Sequence, residues 1–277
     1  MNAPAPAPAP VPVPVPASAL PPAFDPVATA LQALACLDLT SLNDAHQFEG
    51  GEADIEMLCA RAAGPHGRVA AVCVWPRLAR FARTRVPPQI AVAAVANFPD
   101  GGSDIARAVR DTAQIVEAGA QEVDVVIPYR DLAAAPKLLA AVRLACEGLK
   151  LKVILETGEL DDAALITRAS RIALDNGADF LKTSTGKTPK SASLEAAALM
   201  LQAIVAADAA KRGQVGLKAS GGIRTVADAA AYIALAAQHL GANQVTPARF
   251  RIGASGLLND IEAVLAGTAR PATGSTY

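Results

Sequence analysis

The sequence predicts an α/β protein: a single (β/α)₈ TIM barrel over residues 25–277, behind a disordered Ala/Pro/Val-rich tail over residues 1–24. Three observations predict it. Short runs rich in Val, Ile and Leu alternate with longer segments of helical period, the pattern of a parallel sheet. Eight such units follow one another without interruption, which suits a closed barrel better than an open sheet. The 277 residues fit one barrel plus a short extension, since such barrels take about 250 residues.

Taken in order, Ala3 to Pro22 alternates Pro with Ala or Val. Proline fixes φ and removes donors, so this stretch favours an extended polyproline form and buries little. Strands are then expected at Cys36–Thr40, Val69–Val74, Ile90–Ala96, Glu122–Ile127, Leu151–Glu156, Phe180–Thr183, Val215–Ala219 and Phe250–Gly253. Helices fill the gaps at Asp54–Ala63, Arg77–Arg83, Asp104–Ala118, Leu132–Cys146, Asp161–Asn176, Leu194–Lys211, Val226–His239 and Gly256–Leu265. Ser103, Ser193 and Thr225 read as helix caps.

An internal echo points to chemistry. Three units carry a glycine and then, at one shared offset, a charged residue. They are Gly119 with Asp124, Gly177 with Lys182, and Gly213 with Lys218. A shared offset places the three charges at comparable heights, toward the carboxyl ends of the fourth, sixth and seventh strands, where barrel active sites form. A single lysine at a strand end is usually a solvated head on an apolar stem; three matched charges are harder to explain that way. Lys182 and Lys218 fall on neighbouring strands, about 4.8 Å apart. Repulsion and apolar surroundings then push one lysine toward the neutral amine that attacks a carbonyl. Asp124 supplies the compensating carboxylate and a proton shuttle.

Glycine-rich turns add a second element. Gly221-Gly222 follows the seventh strand, and Gly253-Ala-Ser-Gly256 follows the eighth and opens a helix. Backbone N–H groups and a helix N-terminus at these two loops suit a phosphate. Ser255 could add a hydroxyl, and Lys187 of Thr185-Gly-Lys187 a charge.

Composition sets the boundaries. Apolar residues are 52% of the chain and aromatics only 4%, so the core is built from small and β-branched side chains. A net charge of −1 offers nothing global to nucleic acid or an anionic membrane. No apolar stretch nears the roughly 20 residues needed to span a bilayer, and the N-terminus lacks a secretory pattern. Cys36, Cys59, Cys73 and Cys146 are unpaired in pattern, and His46, His66 and His239 are scattered. No metal site and no cofactor are expected, and the isolated thiols suit the cytoplasm.

The residues assembled so far resemble the deoxyribose-phosphate aldolases. The resemblance is carried by Asp38-Leu-Thr40, Asn97-Phe-Pro99, Glu122-Val-Asp-Val-Val126, Leu155-Glu-Thr-Gly158, Leu181-Lys-Thr-Ser-Thr-Gly-Lys187, Lys218-Ala-Ser-Gly-Gly-Ile-Arg-Thr225 and Arg251-Ile-Gly-Ala-Ser255. It runs from the first strand to the last, and the two lysine motifs one unit apart are its most specific part. It implies a class I aldolase that reversibly cleaves 2-deoxy-D-ribose 5-phosphate to D-glyceraldehyde 3-phosphate and acetaldehyde, in deoxyribonucleoside catabolism. Lys182 would form the Schiff base, Lys218 would perturb it and move protons, and Asp124 would relay them. Thr185, Lys187, Gly221, Gly222, Gly253, Ser255 and Gly256 would line the phosphate side. The implied partners are a sugar phosphate and aldehydes, with at most a second copy of the chain as a homodimer.

Two features stand apart from the family. Many members carry a second serine where this chain has Gly256, which removes a hydroxyl but keeps the backbone N–H. The Pro/Ala tail lies outside the family core, and the terminal Tyr277 reads as a disordered end. Two alternatives stay open at this point: a lysine-dependent barrel aldolase with another acceptor, and a silent barrel that only binds sugar phosphates.

Overall fold

The computed structural model describes residues 25–160, 162–208 and 213–268. The tail of residues 1–24, Asp161, the end of the sixth expected helix and Tyr277 lie outside them. Among the described residues the strands are β1 Leu37–Thr40, β2 Ala63–Gly64, β3 Gly67–Arg68, β4 Ala71–Val74, β5 Ala91–Ala96, β6 Glu122–Val126, β7 Lys150–Ile154, β8 Phe180–Lys182, β9 Gly216–Ser220 and β10 Phe250–Ala254. The α-helices are α1 Pro26–Ala35, α2 Glu52–Ala60, α3 Pro76–Arg83, α4 Ile105–Glu117, α5 Ala135–Ala145, α6 Ala163–Asp175, α7 Leu194–Ala206, α8 Val226–Leu240 and α9 Leu257–Leu265.

Eight strands close into one parallel barrel in the order β1-β10-β9-β8-β7-β6-β5-β4, and β4 returns to β1. The expected fold class is therefore the observed one, each of the eight expected strands being a barrel strand. Besides 3₁₀ turns at Asp44–His46 and Ala242–Gln244, two elements were not anticipated. Helix α1 is capped by Asp25, whose carboxylate accepts from the N–H groups of Val27 and Ala28 at 2.9 and 3.1 Å, with Pro26 in the first turn. An exposed antiparallel hairpin, β2–β3, turns at Pro65-His66 before β4.

Local chemistry explains the shifted ends. Helix α5 starts at Ala135 rather than Leu132 because Pro136 then sits in the first turn, where its missing N–H costs nothing. Asp104, not Ser103, caps α4, accepting from Arg107 N–H at 3.0 Å. Ser193 caps α7 and Thr225 caps α8, the latter in a reciprocal box with Asp228.

The barrel interior is charged rather than apolar. Side chains alternate along a strand. Asp38, Glu122, Asp124, Lys152, Lys182, Lys218 and Arg251 meet inside, while Leu37, Val123, Leu151, Leu181, Leu217 and Ile252, all fully buried, take the intervening positions beneath the helices. Phe180 closes the floor below. A Cβ on Gly216 would lie 2.4 Å from its ring, and Arg251 Cζ stands 5.5 Å from the ring centroid.

Candidate active site

The three residues singled out by the glycine offset meet at one atom. Lys182 Nζ and Lys218 Nζ lie 2.9 and 2.8 Å from the same oxygen, Asp124 Oδ2. Parallel pairing puts Lys182 opposite Lys218, and Arg251 opposite Lys218 on the other side. Three basic side chains thus stand in register across β8, β9 and β10.

Sequence reasoning missed what these residues rest on. Arg251 donates to Asp38 Oδ1 at 2.6 Å and to Glu122 Oε1 at 2.8 Å. Asp38 Oδ2 lies 2.5 Å from Lys218 Nζ, and Asp124 Oδ1 lies 2.7 Å from Lys152 Nζ. Lys152 Nζ also reaches Glu122 Oε2 at 2.6 Å. The chain of contacts closes on itself, running Arg251, Asp38, Lys218, Asp124, Lys152, Glu122 and back to Arg251. Cation and carboxylate alternate throughout, so this ring of six is neutral. Lys182 is a fourth basic side chain, attached to the ring only through Asp124.

The electrostatics follow from that placement. Burial depresses the basicity of Lys182, and Lys218 adds repulsion; Asp124 opposes both without cancelling them. Lys218 goes the other way: burial works against its charge, but Asp124 and Asp38 outweigh it and hold the ammonium. Lys152 is likewise held charged, by Asp124 and Glu122 against burial. Burial disfavours ionised Asp124, yet Lys152, Lys182 and Lys218 pull it well below the usual carboxylate range. Cys73, 3.8 Å from Asp124, is kept a thiol by burial.

Above the ring lies a cavity of about 840 Å³, lined by Lys182, Thr185, Lys187, Gly221, Gly222, Gly253, Ser255 and Gly256 among others. Lys218 and Asp124 are not on its wall; they sit fully buried beneath it. Gly221 and Gly222 have φ of +93° and +81°, which L side chains rarely adopt, and a Cβ on Gly221 would strike Ser191. Gly253 is needed for space, because a Cβ there would lie 2.2 Å from Ser220 Oγ and 2.9 Å from Lys218 Cε. Gly256 caps α9 without a side-chain bond, and a Cβ there meets nothing within 4 Å.

The Thr185–Lys187 loop is tied down from two sides. Buried Glu156, at φ +53°, accepts from Thr185 N–H at 3.2 Å, from the Thr185 hydroxyl, and from Thr188 Oγ1 at 3.3 Å. Lys187 Nζ donates to Leu42 O and lies against Asp44 Oδ1, both at 2.7 Å. Asn97 serves the fold, its side chain donating to Gly102 O and Val126 O. Among the described residues no group of three or more His, Cys, Asp or Glu is arranged to hold a metal ion, and no helix is long and apolar enough to cross a membrane.

A lysine whose charge is disfavoured, standing at the mouth of a parallel barrel beside glycine-rich turns, defines the class: a barrel enzyme equipped for carbonyl chemistry, in the manner of a lysine-dependent aldolase. A model of the DeoC/LacD family aldolases matches residues 32–263, and the chain belongs to that family. A deoxyribose-phosphate aldolase of Agrobacterium fabrum (strain C58 / ATCC 33970) is 47% identical over 250 residues, 87% of this chain and 93% of the relative. The apo-form crystal structure of a provisional deoxyribose-phosphate aldolase from Toxoplasma gondii ME49 is 25% identical. It covers 87% of this chain and 98% of its own, with a TM-score of 0.77. The deoxyribose phosphate aldolase of Aeropyrum pernix, 24% identical over 88% of this chain and 98% of its own, has a TM-score of 0.65, a likeness of fold alone.

Proposed function

We propose that the protein is a deoxyribose-phosphate aldolase, cleaving 2-deoxy-D-ribose 5-phosphate reversibly to D-glyceraldehyde 3-phosphate and acetaldehyde through a Schiff base on Lys182. One observation carries the assignment of the nucleophile. Of the buried lysines around Asp124, Lys182 alone lines the cavity, and its basicity is the one depressed. The 47% identical Agrobacterium relative supports the substrate.

Neutral Lys182 adds to C1 of the open-chain sugar and water leaves, giving an iminium. The C3 hydroxyl gives up its proton as the C2–C3 bond breaks, and the bonding pair flows to the iminium nitrogen. Glyceraldehyde 3-phosphate departs and an enamine remains. Protonation at C2 and hydrolysis release acetaldehyde and the free amine. The iminium is the electron sink, so the scheme calls for no cofactor. Lys218 and Asp124, directly behind Lys182, are the proton relay. The phosphate sits on the N–H groups of Gly221 and Gly222 and at the start of α9, with Thr185, Lys187, Gly253, Ser255 and Gly256 around it.

We place the protein in the cytoplasm, where the buried free thiols Cys36, Cys59, Cys73 and Cys146 stay reduced, and propose a homodimer as its assembly. A sedimentation mass of 28.2 kDa would remove the dimer. The enzymatic reading is tested by borohydride reduction with acetaldehyde followed by peptide mass spectrometry. One ethyl group on Lys182 is expected. Labelling by pyruvate instead would point to another acceptor, and no label to a silent barrel.

A further inference from the structure

We propose that Arg251 is a positioning residue for this chemistry: its charge completes the neutral ring under Lys182 and thereby keeps the Lys182 amine free of a proton. The proposal rests on the reading of Lys182 as the Schiff-base lysine.

The geometry points to it in three ways. Arg251 is locked in place, its guanidinium forked between Asp38 and Glu122 at 2.6 and 2.8 Å over the Phe180 ring. It stands in register with Lys182 two strands away, roughly 10 Å at ordinary strand spacing, inside the same barrel. Above all, it closes the ring. Each of the three ring carboxylates contacts at least two ring cations, so Asp124, although 2.9 Å from Lys182, is already balanced within the ring. A protonated Lys182 would be the unbalanced fourth cation.

Without Arg251, Asp38 and Glu122 would carry one uncompensated negative charge, and a proton on Lys182 would be the nearest way to balance it. Without the Glu122 charge the ring would be left positive, and Lys182 would resist protonation further. The other groups facing Lys182 are fixed in this comparison: Asp124 from β6, Lys152 from β7, Lys218 from β9, Asp38 from β1, the neutral Cys73 from β4, and Glu156 in the loop after β7.

The test is the pH dependence of Lys182 alkylation by acetaldehyde with cyanoborohydride, read by peptide mass spectrometry alongside a circular-dichroism melt of each variant. Arg251→Gln should raise the midpoint of labelling by about one pH unit, the effect of one unit charge at that distance and an effective dielectric constant of about 20. Glu122→Gln should lower it by a similar amount. Arg251→Lys keeps the charge and loses the fork, and should leave the midpoint in place. The double variant Glu122→Gln/Arg251→Gln removes one charge of each sign and should restore it. An unmoved midpoint in folded Arg251→Gln, or a shift in Arg251→Lys as large as in Arg251→Gln, overturns the proposal. Should Arg251→Gln not fold, Glu122→Gln decides: a midpoint unmoved or raised overturns it. Absence of Lys182 labelling in the unaltered protein would instead sink the Schiff-base reading itself.

Discussion

At the scale of single residues, the site separates one reactive amine from several that only look equivalent. Lys152, Lys182 and Lys218 all touch Asp124, yet carboxylate neighbours hold two of them charged against burial, while burial leaves the third depressed. Lys182→Ala should therefore abolish turnover while leaving the circular-dichroism melt near that of the parent, since its amine belongs to no closed pairing. Turnover at the parental rate would remove the mechanism. Lys218→Leu is expected to be milder on turnover but harsher on the melt, because Lys218 bridges Asp38 and Asp124. It breaks the ring and removes the repulsion on Lys182, so the rate at neutral pH should fall by about 10²–10⁴-fold, the range of a lost proton-transfer group. The acid limb of kcat/KM should also move to higher pH. An unmoved limb would show that the two amines are uncoupled.

At the scale of elements, the start of α9 is the place where this chain can be improved. Gly256 has an ordinary φ of −94°, no side-chain cap and open space where a Cβ would go. Gly256→Ser should stabilise the helix by a few tenths of a kcal/mol and lower the KM for a phosphorylated substrate without changing kcat. A raised KM would place the phosphate elsewhere. The elements themselves were largely legible in the sequence, because strand and helix periods are local. The boundaries moved where one residue dominates, as Pro136 does at α5. Helix α1 was lost because its Ala-rich run continues the composition of the tail, although Asp25-Pro26 is a start signal. The site was half legible. The glycine offset found Asp124, Lys182 and Lys218, but Lys152 stands one position short of that offset after Gly148, and Asp38 and Arg251 follow no glycine. Their roles come from partners as far as 213 positions away in the chain, which no local pattern can display. The visible hint was coarser: each of these charges stands between apolar neighbours on its strand.

At the scale of the whole molecule, a charged interior makes stability depend on pH in a defined direction. Burial disfavours ionised Asp38, Glu122 and Asp124, but their cationic partners outweigh it and hold all three lower in the folded protein than in the unfolded chain. Their contribution is thus complete above the unfolded value of about 4 and is lost as the pH falls below it. The Tm should hold level near neutrality and then drop by about 3–5 °C per pH unit for each carboxylate titrated. A Tm still level at pH 3 would contradict this. The same ring has a consequence for how the molecule is made. It joins Asp38 of the first barrel strand to Arg251 of the last. A nascent chain on the ribosome must therefore carry Asp38 and Glu122 without their guanidinium until the last barrel strand has been synthesised. Until then the ring of charges stays open, and its closure is among the last contacts the barrel can make.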